Sequence, residues 1–183
     1  MNSTPGASIP QIDTLTEQSS SRLLEFTQSE LFSRTFKEGM DLVEETASYL
    51  DGIGREDSRA LEKPEALIYA SQSMKLTTRL MQVASWLLVQ RAVKTGEMSI
   101  TDAQDDKYRL VEEQMKEGEL SFAELAKYSH VLPSALLDLL ARSKALYERI
   151  TRLDRSLYGT ISAQQGNTVA DQISRLEVAF SRR

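Results

Sequence analysis

The residue types that do chemistry are sparse in this chain and badly spaced for it. His130 is the only histidine, and there is no cysteine. Disulfides, thiolate metal sites, iron–sulfur clusters and cysteine nucleophiles are excluded together. A single imidazole, three residues ahead of Pro133, has no second histidine to share a zinc ion with. A di-iron bundle needs Glu-x-x-His pairs, and none occurs. Carboxylates cluster at Asp41, Glu44 and Glu45, and again at Glu112 and Glu113. On a helix such groups read as solvated faces rather than acid–base pairs. Asp102 and Asp106 lack the central glycine and downstream glutamate of a calcium loop. Phosphate-binding, dinucleotide-binding and nucleophile-elbow motifs are absent. The chain reads as a non-enzyme with no cofactor and no metal.

What remains is the chemistry of contact, and it concentrates in residues 73–93, SMKLTTRLMQVASWLLVQRAV. This stretch has neither glycine nor proline, and its apolar residues fall on two helical faces. Met74, Thr78, Met81, Ser85, Leu88 and Ala92 recur at steps of three and four. Leu76, Leu80, Val83, Leu87, Val89 and Val93 form a second stripe. A helix with two apolar faces must be covered from two sides, so this is a central bundle helix or one that also carries a subunit seam. The candidate dimer or partner interface is Met74, Thr78, Met81, Ser85, Trp86 and Leu88. Trp86, the only tryptophan, suits the bundle core among its apolar neighbours. It also suits an interface anchor, because tryptophan is enriched in hot spots. Arg79 and Arg91 flank it, as buried partners for carboxylates or as the rim of the seam.

Three firm helices position these residues. The first runs from about 29 to 50, with Ser29 as N-cap and Phe32, Phe36, Met40, Val43, Ala47 and Leu50 as its stripe. Gly52 and Gly54 end it, at positions needing positive φ, and residues 53–63 read as a loop. The second runs from about 64 to 94, with Pro64 in its first turn and Gly96 as its stop. At about 1.5 Å per residue it is roughly 45 Å long. The third runs from about 133 to 158 and stops at Gly159. Its stripe is Leu136, Leu139, Leu140, Ser143, Leu146, Tyr147, Ile150, Leu153 and Leu157. Residues 97–131 form a partly helical excursion that packs weakly. Residues 1–28 read as a mobile N-terminal segment and 159–183 as a flexible C-terminal tail. In that tail Val169, Ile173, Leu176 and Phe180 make a candidate docking helix. The expectation is an all-α, antiparallel three-helix bundle, dimeric through its second helix.

Composition fits a soluble single domain of 183 residues. A net charge of −5 with scattered basic residues argues against nucleic acid. Lys75, Arg79, Gln82 and Arg91 make the longest apolar stretch unfit to insert in a membrane. No signal peptide is seen, so the expected compartment is the cytoplasm.

Three motifs carry a family resemblance. They are G-M-x-L-V-E-E-T-A-x-Y-L-D-G-x-G-R (39–55), the whole of 73–93, and L-P-S-x-L-x-x-L-x-x-R-S-x-x-L-Y-E-R-I-x-R-L-D (132–154). Together they resemble the alphaproteobacterial RcdA family, regulators of CtrA degradation. The resemblance covers roughly residues 29–158. It implies a non-enzymatic cytoplasmic adaptor, a dimer of three-helix bundles concentrated at the cell pole. Such a protein helps deliver cell-cycle regulators to the ClpXP protease. The implied partners are a ClpX-type unfoldase, a response regulator of the CpdR kind, a cyclic-di-GMP effector protein and cargo regulators such as CtrA. The rival reading is a structural or signalling helical-bundle dimer with no role in proteolysis. A phosphotransfer bundle would need an exposed histidine in mid-helix, whereas His130 lies at a helix start.

Overall fold

The computed structural model describes residues 11–110, 127–128 and 130–165. The described elements are six α-helices and one 3-10 turn: α1 (Gln11–Gln28), α2 (Glu30–Asp51), α3 (Ile53–Ala60), α4 (Lys63–Thr95), α5 (Ile100–Ala103), the turn Asp106–Tyr108, and α6 (Ser134–Gln165). No strand occurs among the described residues.

Local signals set most boundaries. Ser29 caps α2, its hydroxyl accepting the Phe32 N–H at 3.1 Å, a bond that stabilises a helix start by about 1 kcal/mol. Gly96 closes α4 with φ of 76°, the left-handed conformation glycine adopts without steric cost. Other boundaries differ from expectation. Gly159 does not stop the last helix, which continues to Gln165. Residues 53–63 are mostly helix α3 rather than loop. Gly52 has φ of −103°, and Gly54 lies inside α3. The Gly54 requirement is spatial: a Cβ there would meet the Tyr69 hydroxyl at 2.7 Å and the Tyr49 carbonyl at 2.8 Å. Tyr69 uses that space to donate its hydroxyl proton to the Gly54 carbonyl at 2.9 Å.

The segment expected to be mobile through residue 28 contains α1, whose Leu23 and Thr27 are buried. Among the described residues four long helices, not three, therefore enclose the core, and α1 packs on α2, α4 and α6. The expected antiparallel arrangement also needs correction. Ion pairs Glu45–Arg142 and Glu38–Arg149 run in opposite order along α2 and α6, which are antiparallel. Polar contacts between α4 and α6 rise together: Arg79 to Ser143, Trp86 to Asp154, Gln90 to Tyr158. These two helices are parallel. A parallel pair needs a connection that travels back one helix length, and residues 96–133 supply it. At its described ends this connection packs more firmly than the weakly packed excursion expected from the sequence. Ala103 and Leu132 are buried, and Arg109 reaches Asp154 between the helices.

The core joins Leu76, Leu80, Val83, Trp86 and Leu87 of α4 to Leu136, Leu139, Leu146 and Ile150 of α6. On α2 the buried line is Phe32, Thr35, Gly39, Leu42 and Thr46. Phe36, Met40 and Val43 flank it, only partly buried. A Cβ on Gly39 would overlap the Leu87 side chain, with Val83 and Leu146 close behind. Glycine here lets α2 lie close against α4.

Candidate protein–protein interface

The two stripes of α4 meet different fates. Leu76, Leu80, Val83, Leu87 and Val93 are buried in the core. The opposite face is uncovered: Met74 is 71% exposed, Met81 65% and Leu88 50%. Thr78 and Ser85 are also exposed. Leu67, 73% exposed, extends this line by one further heptad, and the sequence reading missed it. Leu67, Met74, Met81 and Leu88 recur every seven residues, the period that keeps one seam facing a partner helix. Between them stand Ala70, Ser71, Thr77, Thr78, Ala84 and Ser85, small enough for another helix to approach closely.

Trp86 does not share this face. It is 1% exposed, and its indole Nε1 donates to Asp154 Oδ1 at 2.9 Å. As a surface anchor of the interface it is corrected to a core residue, a placement that fits its apolar neighbours and satisfies its one donor. The ring of Phe26 lies 6.1 Å away and links it to Phe32 and Phe36. Arg79 is buried, with Nη1 donating to Ser143 Oγ at 3.0 Å. Arg91 is exposed, its guanidinium 5.5 Å from the centre of the Phe36 ring.

Two clefts flank Met81. One, of about 430 Å³, lies towards the connection and is lined by Thr78, Gln82, Ser85, Val89, Tyr108 and Leu110, with Trp86 at its floor. The other, of about 170 Å³, lies towards α2, between Val43, Ala47 and Leu50 on one side and Thr77, Leu80 and Ala84 on the other. The wall at Tyr108 and Leu110 is held by its neighbour. Arg109 donates from Nε to Asp154 Oδ1 at 2.9 Å and from Nη2 to Oδ2 at 2.8 Å. Its guanidinium also covers the Tyr158 ring at 4.4 Å. Tyr158 donates to Gln90 Oε1 at 2.9 Å, and burial first of all pushes its pKa up to about 12.

An exposed apolar ridge with a groove on each side can bury side chains from a second protein surface. His130 is exposed, in the turn before α6. Among the described residues, no three histidine or acidic side chains gather where they could hold a metal ion. No described helix is long and apolar enough to cross a membrane. Val169, Ile173, Leu176 and Phe180 lie outside the described residues.

A family model described as a protein of unknown function (DUF1465) matches residues 23–180. Among solved structures, the crystal structure of RcdA from Caulobacter crescentus CB15 is similar, with 52% sequence identity and a TM-score of 0.59. The match covers 74% of this chain and 97% of that one. None of the curated proteins matches.

Proposed function

The chain belongs to the RcdA family, and on that premise we propose that it is a non-enzymatic adaptor. In this reading it brings cell-cycle regulators, CtrA-type response regulators among them, to a ClpXP-type protease in the cytoplasm, concentrated at the cell pole. The observation that carries the reading is the 52% identity to RcdA across nearly that whole protein. The bare heptad of α4 supports it, because an adaptor works through surfaces.

The α4 face is the homodimer seam in this proposal, formed by Met74, Thr78, Met81, Ser85 and Leu88 with Leu67 added. A patch on one helix suits a two-fold contact, in which each copy offers the same surface. Residues 166–183 serve as a docking arm, anchored through Val169, Ile173, Leu176 and Phe180. Tethering cargo beside the unfoldase raises its effective concentration without any chemical step.

Affinity capture from the native cytoplasm tests this, comparing the full chain with one ending at Gln165. An AAA+ unfoldase and response regulators are expected on the full chain, with part of that set lost on the shorter one. Recovery of neither class on either chain sinks the reading.

A further inference from the structure

The uncovered ridge of α4 and the last turns of α6 stand in a fixed relation. Trp86 bonds to Asp154 and Tyr158 to Gln90, each pair 68 residues apart on two parallel helices. At that offset Gln165, where the described part of α6 closes, stands level with Glu97, just past Thr95 at the end of α4. Residues 166–183 lie outside the described residues. They leave α6 at the end of the ridge marked by Leu88, which is 50% exposed.

The sequence of those residues matches that starting point. Gly166-Asn167 is a turn signal. Thr168-Val-Ala-Asp171 has the spacing of a helix-capping box. Val169, Ile173, Leu176 and Phe180 then recur at steps of four and three, which on a helix makes one apolar face about 16 Å long. The chain from Gln165 to Val169 reaches up to about 13 Å, more than the roughly 8–10 Å between packed helices. A segment that turns back there runs antiparallel to α4. Counted residue for residue, Ile173 falls level with Val89, Leu176 with Trp86 and Phe180 with Gln82. Phe180 thus arrives beside Met81, at the cleft of about 430 Å³ floored by Trp86. Two right-handed helices set face to face and antiparallel also fix their flanks. Glu177 falls on the side of that same cleft, where Lys107 forms part of the wall. Lys107 is exposed, and its ammonium pairs with exposed Asp105 at 3.0 Å.

We propose that residues 168–183 fold back as a helix onto the α4 ridge of their own chain, with Phe180 seated in the larger cleft and Glu177 paired with Lys107. The place where the chain leaves α6, the spacing of its apolar residues and the charge on its cleft-side flank all select this occupant. Docking within one chain needs few contacts, because the short tether holds the segment at an effective concentration of about millimolar order. The docking itself does not depend on the adaptor reading. Its consequence does rest on that reading: the face proposed as the homodimer seam is open to a second copy only when the tail lifts, and the lifted tail is then free to reach a partner.

Because the chain has no cysteine, an introduced thiol reports cover over the ridge. Met81→Cys in the full chain should be alkylated on the order of 10-fold more slowly than Met81→Cys/Ile173→Asp/Leu176→Asp, whose tail has lost its apolar face, and the difference should not vary with protein concentration. Lys107→Glu should speed alkylation of Met81→Cys, and adding Glu177→Lys should slow it again. Under mild oxidation Met81→Cys/Phe180→Cys should close a disulfide within one chain. Met81→Cys/Val178→Cys, with its second thiol on the far face of the tail helix, should not. Equal alkylation with the intact and the broken tail overturns the proposal, as does indifference to both charge changes. Equal cross-linking from Phe180 and Val178 overturns the helical seat. Protection that grows with protein concentration, or disulfides formed only between chains, places a second copy on the ridge and overturns the proposal too.

Discussion

Arg109 and Asp154 form a bidentate pair between segments 45 residues apart; the Asp154 side chain is almost wholly enclosed and that of Arg109 mostly so. The same carboxylate accepts the Trp86 indole proton. One buried anion thus fastens α4, α6 and the connection between them.

Removing one member of such a pair strands the other without water. Asp154→Ala should destabilise by about 3–5 kcal/mol in urea unfolding, and the double variant Arg109→Met/Asp154→Leu by less than that. Trp86 emission should shift in the single variant, because its hydrogen-bond acceptor is gone. A cost below about 1 kcal/mol would mean that water already reaches the site.

Gly39→Ala sets a methyl group against the side chain of Leu87, which is fully buried. Overpacking of this kind should cost about 1–3 kcal/mol. Adding Leu87→Val should return part of the loss, read as non-additivity between the two positions. Strict additivity would place the strain elsewhere.

Tyr158 titrates above its ordinary value of 10, at about 12, chiefly through burial. The folded state thus binds this proton more tightly than the unfolded state. Its contribution is complete below pH 10 and is lost as the pH rises from 10 through about 12. A shift of that size corresponds to roughly 2–3 kcal/mol. Tyr49 is raised in the same direction, by burial and by hydrogen bonds with Tyr69 and Asp57, so part of the alkaline loss should persist in Tyr158→Phe. Denaturation curves of both proteins between pH 9 and pH 12 check this. Identical slopes would remove Tyr158 from the account.

Met81→Glu tests the α4 seam. With Met81 65% exposed in the single chain, monomer stability should change by no more than about 0.5 kcal/mol. Self-association, measured by sedimentation, should weaken at least about 30-fold if Met81 is a hot spot. Unchanged association moves the seam away from this helix.

Most of this geometry was legible where pattern and cap agreed. Ser29, Pro64 and Gly96 fixed helix ends, and the two stripes of α4 separated into core and surface except at half-buried Val89 and Ala92. α2 was harder, because its contact line contains Thr35, Gly39 and Thr46 while apolar Phe36, Met40 and Val43 lie beside it. Hydropathy follows the apolar residues, but close helix approach selects the small ones. Leu42, buried on this line, was missed because it is offset from the stripe that Phe36, Met40 and Val43 define. α1 was hidden by its serines, since its order comes from tertiary burial of Leu23 and Thr27 rather than from propensity. Gly159 misled because glycine permits a stop without imposing one. The parallel run of α4 and α6, and the reach of Arg109, are long-range facts with no local signature. The length of the connection was their only trace.

That parallel run also orders events during synthesis. α2 and α4 are neighbours in sequence and antiparallel, so they can close on each other as soon as both have left the ribosome. α6 must wait for the whole connecting segment and then bear the entropy of closing that loop before any of its contacts form. The bundle is thus a hairpin completed late by its last helix. A nascent chain arrested before Ser134 would still display the uncovered leucines of α4, the surface that holding chaperones recognise.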